Sequence, residues 1–252
     1  MSVVVSLIVF MGCIMYADDL ILISPTVGGL QSMLTVCTDY GHSFDIVFNA
    51  KKCMFMCVGK HYTTAGISVF IDNVALTKVT LFKYLGVSFV ADRELNVDVS
   101  YMKRRFYSSC NSILCKSKLA PEPIKLQLIK SYCLPYLTYC IGALQLSETK
   151  LRELNVCWND AFRRVFGFKR YESVKELQWY CGEMSLPYIY YLARWNFVIS
   201  VSHKNNRSLS ILYNTMHLPD EFVCNGQPFG RMFSSFHARR DAVFNQFVHA
   251  IH

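Results

Sequence analysis

The chain has 252 residues, 52% of them hydrophobic and only 17% charged, with a mean hydropathy of +0.23. This composition excludes a disordered chain and supports one large domain, or a small domain with a helical extension. The net charge of +8 is uneven: residues 1–100 carry 6 Lys/Arg against 8 Asp/Glu, and residues 101–252 carry 20 against 10. An acidic first stretch suits a cation site and a basic second half suits phosphate contact, although solvated helix faces give the same counts. The 11 cysteines show no CxxC pair and no His at zinc spacing, which argues against a disulfide framework or a zinc module and for reduced intracellular thiols.

The apolar run 3–17 lacks the basic start and small-residue cleavage site of a signal peptide, ending instead in Tyr16-Ala17-Asp18-Asp19. It is shorter than the ~20 residues of a membrane span, and extending it would place two carboxylates in hydrocarbon. Apolar runs 8–15 and 20–23 instead predict two buried strands around an acidic turn near Asp18. Ser24-Pro25-Thr26 opens a helix with Leu30, Met33, Leu34 and Cys37 at helical spacing, closed by Gly41. Strands over 44–48 and 53–58 follow, joined by Asn49-Ala50-Lys51-Lys52, then a hairpin turning at Asp72-Asn73 and a last strand pair over 81–90 around Gly86.

From about Asp92 the period becomes helical. Met102, Phe106, Cys110 and Ile113 form one stripe, and a helix opened by Pro121 carries Ile124, Leu128 and Tyr132. A helix from Ser147 turns Leu151, Leu154, Trp158, Phe162 and Val165 inward and ends at Gly167. Another starts at Pro187 with Tyr188, Tyr191, Leu192, Trp195 and Ile199. Tyr132, Tyr136, Trp158 and Trp195 read as core residues rather than base-stacking platforms. Beyond His203 lie a polar loop and a terminal helix from Ser234, and Asn206-Arg207-Ser208 is a chance glycosylation sequon. The expected fold class is α+β, with a strand-rich part over 1–91, a helical part over 92–200 and a helical tail over 201–252.

Tyr16-Ala17-Asp18-Asp19, preceded by an apolar strand and followed by Leu20-Ile21-Leu22-Ile23, resembles the catalytic hairpin of reverse transcriptase palm domains. Phosphoryl transfer onto a primer hydroxyl uses two divalent cations about 3.5–4 Å apart, and carboxylates on a rigid hairpin can hold them with little reorganisation. An Asp pair alone is also what a solvated turn contains. Further segments occur in the order that the reverse transcriptases of non-LTR (LINE-type) retrotransposons show, over residues 1 to 200. Phe48-Asn49-Ala50-Lys51-Lys52-Cys53 is similar to the family's Asn-x-x-Lys segment, Phe82-Lys83-Tyr84-Leu85-Gly86-Val87 to its Tyr-Leu-Gly segment, and residues 128–139 to the segment in which a helix ends at Leu134-Pro135 and Tyr136 follows.

The resemblance implies Asp18 and Asp19 as catalytic residues and Mg²⁺ ligands. It gives Lys52 the position of an acid for the pyrophosphate leaving group, where an ordinary turn lysine is the other reading. It also implies an RNA template and a DNA primer as partners, with Tyr16 as a nucleic-acid contact and Tyr84 and Gly86 beside the primer strand. Residues 1–91 become a partial palm and 92–200 a thumb, whose Lys103, Arg104, Arg105, Arg163, Arg164, Lys169 and Arg170 would meet the backbone, or else form solvated faces. The family's first catalytic strand supplies a third carboxylate ahead of the Asp pair, and 15 residues precede Tyr16. The expectation is therefore an incomplete centre without fingers, inactive by itself, in the nucleus or cytoplasm, with neither a membrane nor a small-molecule cofactor. The alternatives are a non-catalytic basic nucleic-acid-binding protein and a membrane-associated or interaction protein built on the apolar start.

Overall fold

The computed structural model describes residues 12–204 apart from 61, 64 and 65, together with 209, 223–224 and 227–228. The architecture is mixed, with helices and small, mostly antiparallel sheets. The chain divides into two compact units, Met1–Val97 and Asp98–His252.

In the first unit β1 (Cys13–Tyr16) and β2 (Asp19–Leu22) form an antiparallel hairpin in which Tyr16 faces Asp19, and the Ile23 amide donates to the Gly12 carbonyl at 2.7 Å to close its base. Helix α1 (Val27–Ser43) follows because Thr26 is extended and its hydroxyl accepts from the Gly29 amide at 3.1 Å, satisfying one free amide of the first turn. Leu30 and Leu34 of α1 pack on a core of Phe55, Val69, Ile71 and Leu76. Gln31 reaches the strand edge, donating to the Phe70 carbonyl and accepting from the Phe70 amide, both at 2.9 Å. That bidentate amide substitutes for a neighbouring strand.

Gly41 does not close α1, which continues to Ser43. Its carbonyl accepts from the amides of both Phe44 and Ile46, and Asp45 at φ 55° carries the reversal. A Cβ on Gly41 would stand 2.7 Å from the Ile46 carbonyl, so glycine serves here for closeness rather than as a cap. This fold-back holds 44–48 outside any sheet, and the expected strand there is absent. Of the strand expected over 53–58 only β3 (Met54–Phe55) forms.

The expected hairpin at Asp72-Asn73 joins β4 (Phe70–Ile71) to β5 (Val74–Ala75), with both turn residues left-handed at φ 47° and 62°. β3 pairs in parallel with β6 (Thr77–Lys78), a non-local contact with no signal in either segment. β7 (Leu81–Tyr84) and β8 (Val87–Val90) form the expected pair around Gly86, with Leu85 at φ 45° and Gly86 at φ 85°. β9 (Asn96–Val97) adds to β8 and completes the unit. Two left-handed central residues match the right-handed strand twist, which is why Asp, Asn and Gly occupy most of these positions.

The second unit is built on α5 (Glu148–Phe166). Ser147 caps its start and Gly167, at φ 72°, its end, as expected, and Leu151, Leu154, Trp158, Phe162 and Val165 are buried with Cys157 and Ala161. Burying each large side chain contributes roughly 1.5–3 kcal/mol. The Trp158 indole donates to the Met184 carbonyl at 3.0 Å. The Leu186 amide donates to Asn155 at 3.2 Å, so α5 helps to cap α7 (Leu186–Ser202). α2 (Ser100–Lys116) and α3 (Glu122–Tyr132) pack on α5 as α7 does, α4 (Leu134–Thr138) packs on α2 and α3, and α6 (Lys175–Tyr180) is tied to α5 by the Gln178 amide donating to Asn159 at 3.0 Å.

On α2, Phe106 and Cys110 are buried as expected. On α3 the inward residues are Leu126 and Ile129, whereas Ile124 and Tyr132 are 52% and 65% exposed, so the expected stripe and the core assignment of Tyr132 are both corrected. Helix α3 stops at Tyr132, and Leu134-Pro135 begins α4 instead of ending α3. Proline is suited to a first turn because its missing N–H is unpaired there anyway. Val223–Cys224 and Gln227–Pro228 form a short antiparallel pair within the expected tail; the terminal helix from Ser234 and the sequon lie outside the described residues.

Candidate functional site

The acidic hairpin is a two-residue turn. Ala17 and Asp18 are its central residues, and Asp19 is the first residue of β2. Ala17 alone is left-handed, at φ 52°, the φ pattern of a type II′ turn, which ordinarily places glycine first. Asp18 and Asp19 are both exposed, and so is every residue of β1, Tyr16 included. The expected hairpin is present, but its first strand is uncovered instead of buried. Apolar alternation shows which residues could be inward; only a neighbouring layer makes them so.

The other candidates of the first unit lie on separate sheets. Lys52 is exposed in the turn that leads into β3, its amide donating to the Asn49 carbonyl at 2.9 Å. Tyr84 ends β7, and Gly86 is the second residue of the β7–β8 turn. The Tyr84 hydroxyl is buried and has no hydrogen-bond partner among the described residues. Among the described residues β1 and β2 pair only with each other, and no ladder there ties the Asp pair to the Lys52 or Tyr84 segments. Among the described residues no three His, Cys, Asp or Glu side chains gather to hold a metal ion. Among the described residues, then, no third carboxylate joins Asp18 and Asp19 to bridge two cations, and these residues do not fit Mg²⁺ held in that way.

In the second unit the basic candidates divide into two groups. Lys103 pairs with Glu153, Tyr107 donates to Asp160 at 2.9 Å, and Arg164 donates to Asn111. These contacts advance together along α2 and α5, so the two helices run parallel with a polar seam between them. Arg163 donates to Asp160 at 2.8 Å, Arg164 lies 5.4 Å over the Tyr107 ring, and Arg105 lies 5.2 Å over the Tyr136 ring. Arg104, Lys169 and Arg170 are exposed and have no side-chain partner among the described residues.

Burial, reinforced by hydrogen bonds with Cys157 and Asp160, pushes the Tyr107 phenol far above its ordinary range, so it stays a donor. Cys110 and Cys133 are buried between α2 and the α3–α4 junction, and the Cys133 thiol lies 3.4 Å from the Ser109 hydroxyl; the interaction of the two thiols raises Cys110 and lowers Cys133.

The polar seam was missed in the sequence, although Lys103, Tyr107 and Asn111 stand at i, i+4 and i+8 on one helical stripe. Tyr171 was missed too: it is 86% exposed beside Lys169 and Arg170, just past the Gly167 cap. No protein-family model, curated protein or solved structure matches this chain. Among the described residues no helix is long and apolar enough to cross a membrane.

Proposed function

We propose that this chain is a palm and thumb portion of an RNA-directed DNA polymerase of the non-LTR retrotransposon type, which by itself engages nucleic acid but does not extend a primer. The observation that carries this reading is the acidic hairpin: Asp18 sits at the tip of a two-residue turn behind a left-handed Ala17, with Asp19 opening the return strand. A generic binding protein has no need of paired acids held by a strained turn. The ordered segments around Asn49 and Lys52, at Tyr84-Leu85-Gly86 and at Leu134-Pro135-Tyr136 add to it. Inactivity follows from the two-acid site, and the reading places the protein inside the cell, with an RNA template and a DNA primer as partners.

The test supplies purified chain with a primed RNA template, deoxynucleotides and Mg²⁺, beside an Asp18→Asn variant. The expected result is no extension by either protein, with binding of the primed template that weakens as salt rises. Extension lost in Asp18→Asn would overturn the inactivity, and absence of any binding would overturn the assignment. A second reading, a non-catalytic basic nucleic-acid-binding protein, is favoured by the unpaired Arg104, Lys169 and Arg170. It predicts equal affinity for primed and unprimed strands, whereas the polymerase reading predicts preference for the primed junction.

A further inference from the structure

The loop that follows α5 carries two of the basic residues of the polymerase reading, Lys169 and Arg170, on a backbone frame and beside an aromatic ring, Tyr171, that this reading does not use. Gly167 turns the chain out of the helix, and the Phe168 amide returns to the Arg163 carbonyl at 2.9 Å. Arg163 then holds the far side, its Nε donating to the Glu172 carbonyl at 3.1 Å while its Nη1 is anchored on Asp160. Within the loop the Glu172 amide donates to the Lys169 carbonyl at 3.1 Å, and the Glu172 carboxylate accepts from the Lys169 amide. The backbone is thus tied at both ends and across the middle. Its one acid is engaged by a backbone amide, and among the described residues the two cationic side chains have no partner.

What this frame presents is Lys169, Arg170 and Tyr171, all exposed, with Tyr171 at 86%. Along the α2–α5 seam Arg163 and Lys103 are paired with the acids Asp160 and Glu153 and Arg164 is held by the Asn111 amide, whereas Lys169 and Arg170 have no side-chain partner among the described residues. A planar ring flanked by unpaired cations on a fixed backbone suits a polyanion with flat bases. The cations meet phosphates and the ring stacks on a base, at little ordering cost because tyrosine has only two side-chain torsions. Base pairs inside a duplex are covered on both faces by their neighbours, which favours single strands.

We infer that the loop of residues 168–172 is a contact point for single-stranded nucleic acid, with Lys169 and Arg170 on the backbone phosphates and Tyr171 stacked on a base. The inference rests on the nucleic-acid-binding part of the proposed function and adds to it a stacking residue, Tyr171, and a strand type.

The test measures fluorescence anisotropy of a labelled oligothymidylate with the full chain over a KCl series. Lys169→Ala with Arg170→Ala should reduce the slope of log K against log salt by about 1.4, at about 0.7 for each phosphate no longer neutralised. Tyr171→Ala should weaken binding roughly 5- to 150-fold, the equivalent of one stacked base, and Tyr171→Phe should bind like the parent. Circular dichroism melts of all variants should match the parent, because these side chains hold no other part of the fold in place.

Loop variants that bind like the parent sink this inference and leave the proposed function standing, whereas a parent with no affinity for any nucleic acid sinks both. Tyr171→Phe as weak as Tyr171→Ala overturns the stacking role. Binding to phosphatidylserine vesicles without affinity for the oligonucleotide assigns the loop to a membrane surface and overturns the inference.

Discussion

Replacing Ala17 by glycine tests whether strain is stored at the acidic turn. Ala17 sits at φ 52°, where an alanine is disfavoured by roughly 1–2 kcal/mol and a glycine is not. Glycine also loosens the unfolded chain, which offsets about 0.4–1 kcal/mol of that relief. The net effect is a hairpin stabilised by about 0.5–1 kcal/mol, a two- to five-fold change in its opening equilibrium. The Tyr16–Asp19 pair and the Ile23 amide on the Gly12 carbonyl report that opening directly. Amide hydrogen exchange of the paired strand residues should therefore slow two- to five-fold in Ala17→Gly. In Ala17→Val it should quicken, because a β-branched residue tolerates this backbone least. Unchanged or faster exchange in Ala17→Gly would refute the strain, and with it the argument that the turn is held for its carboxylates.

Three further outcomes follow from packing and burial. Gly142→Ala places a methyl 2.4 Å from the Ala193 carbonyl oxygen, so α7 must shift, and chemical denaturation should report a loss of about 1–3 kcal/mol. Tyr84→Phe removes a buried hydroxyl without a partner among the described residues and should raise stability by about 1–3 kcal/mol, since the phenol is desolvated without gaining a hydrogen bond. Tyr107 has a folded pKa raised above the unfolded value of about 10, so its contribution is complete below that pH and is lost as pH rises beyond it. The melting temperature of the parent should accordingly fall more steeply above pH 10 than that of Tyr107→Phe, and parallel curves would contradict the buried phenol.

Elements governed by local chemistry were legible in the sequence. Helix α5 was bounded by the Ser147 cap and the Gly167 terminus, with its inward face given by Leu151, Leu154, Trp158, Phe162 and Val165. The turns at Asp72-Asn73 and around Gly86, and the acidic hairpin itself, were equally readable because a left-handed or tight turn restricts which residues can occupy it. Residues 44–48 were misread because alternation cannot register that Gly41 lets the chain fold back on its own carbonyl. The stripe on α3 was misread because Ile124 and Leu126 are both apolar, and only the neighbouring helices decide which turns inward.

By itself, the sequence determined where helices cap, where hairpins turn and that two acids share a turn, since each depends on the few residues beside it. The tertiary structure alone decided that β3 pairs with β6, that β1 lies open, and that Lys103, Arg163 and Arg164 are engaged while Lys169 and Arg170 have no side-chain partner among the described residues. Those outcomes depend on partners distant along the chain: a cation's availability is set by which acid, amide or ring the fold brings beside it, and its own neighbours in sequence carry no record of that.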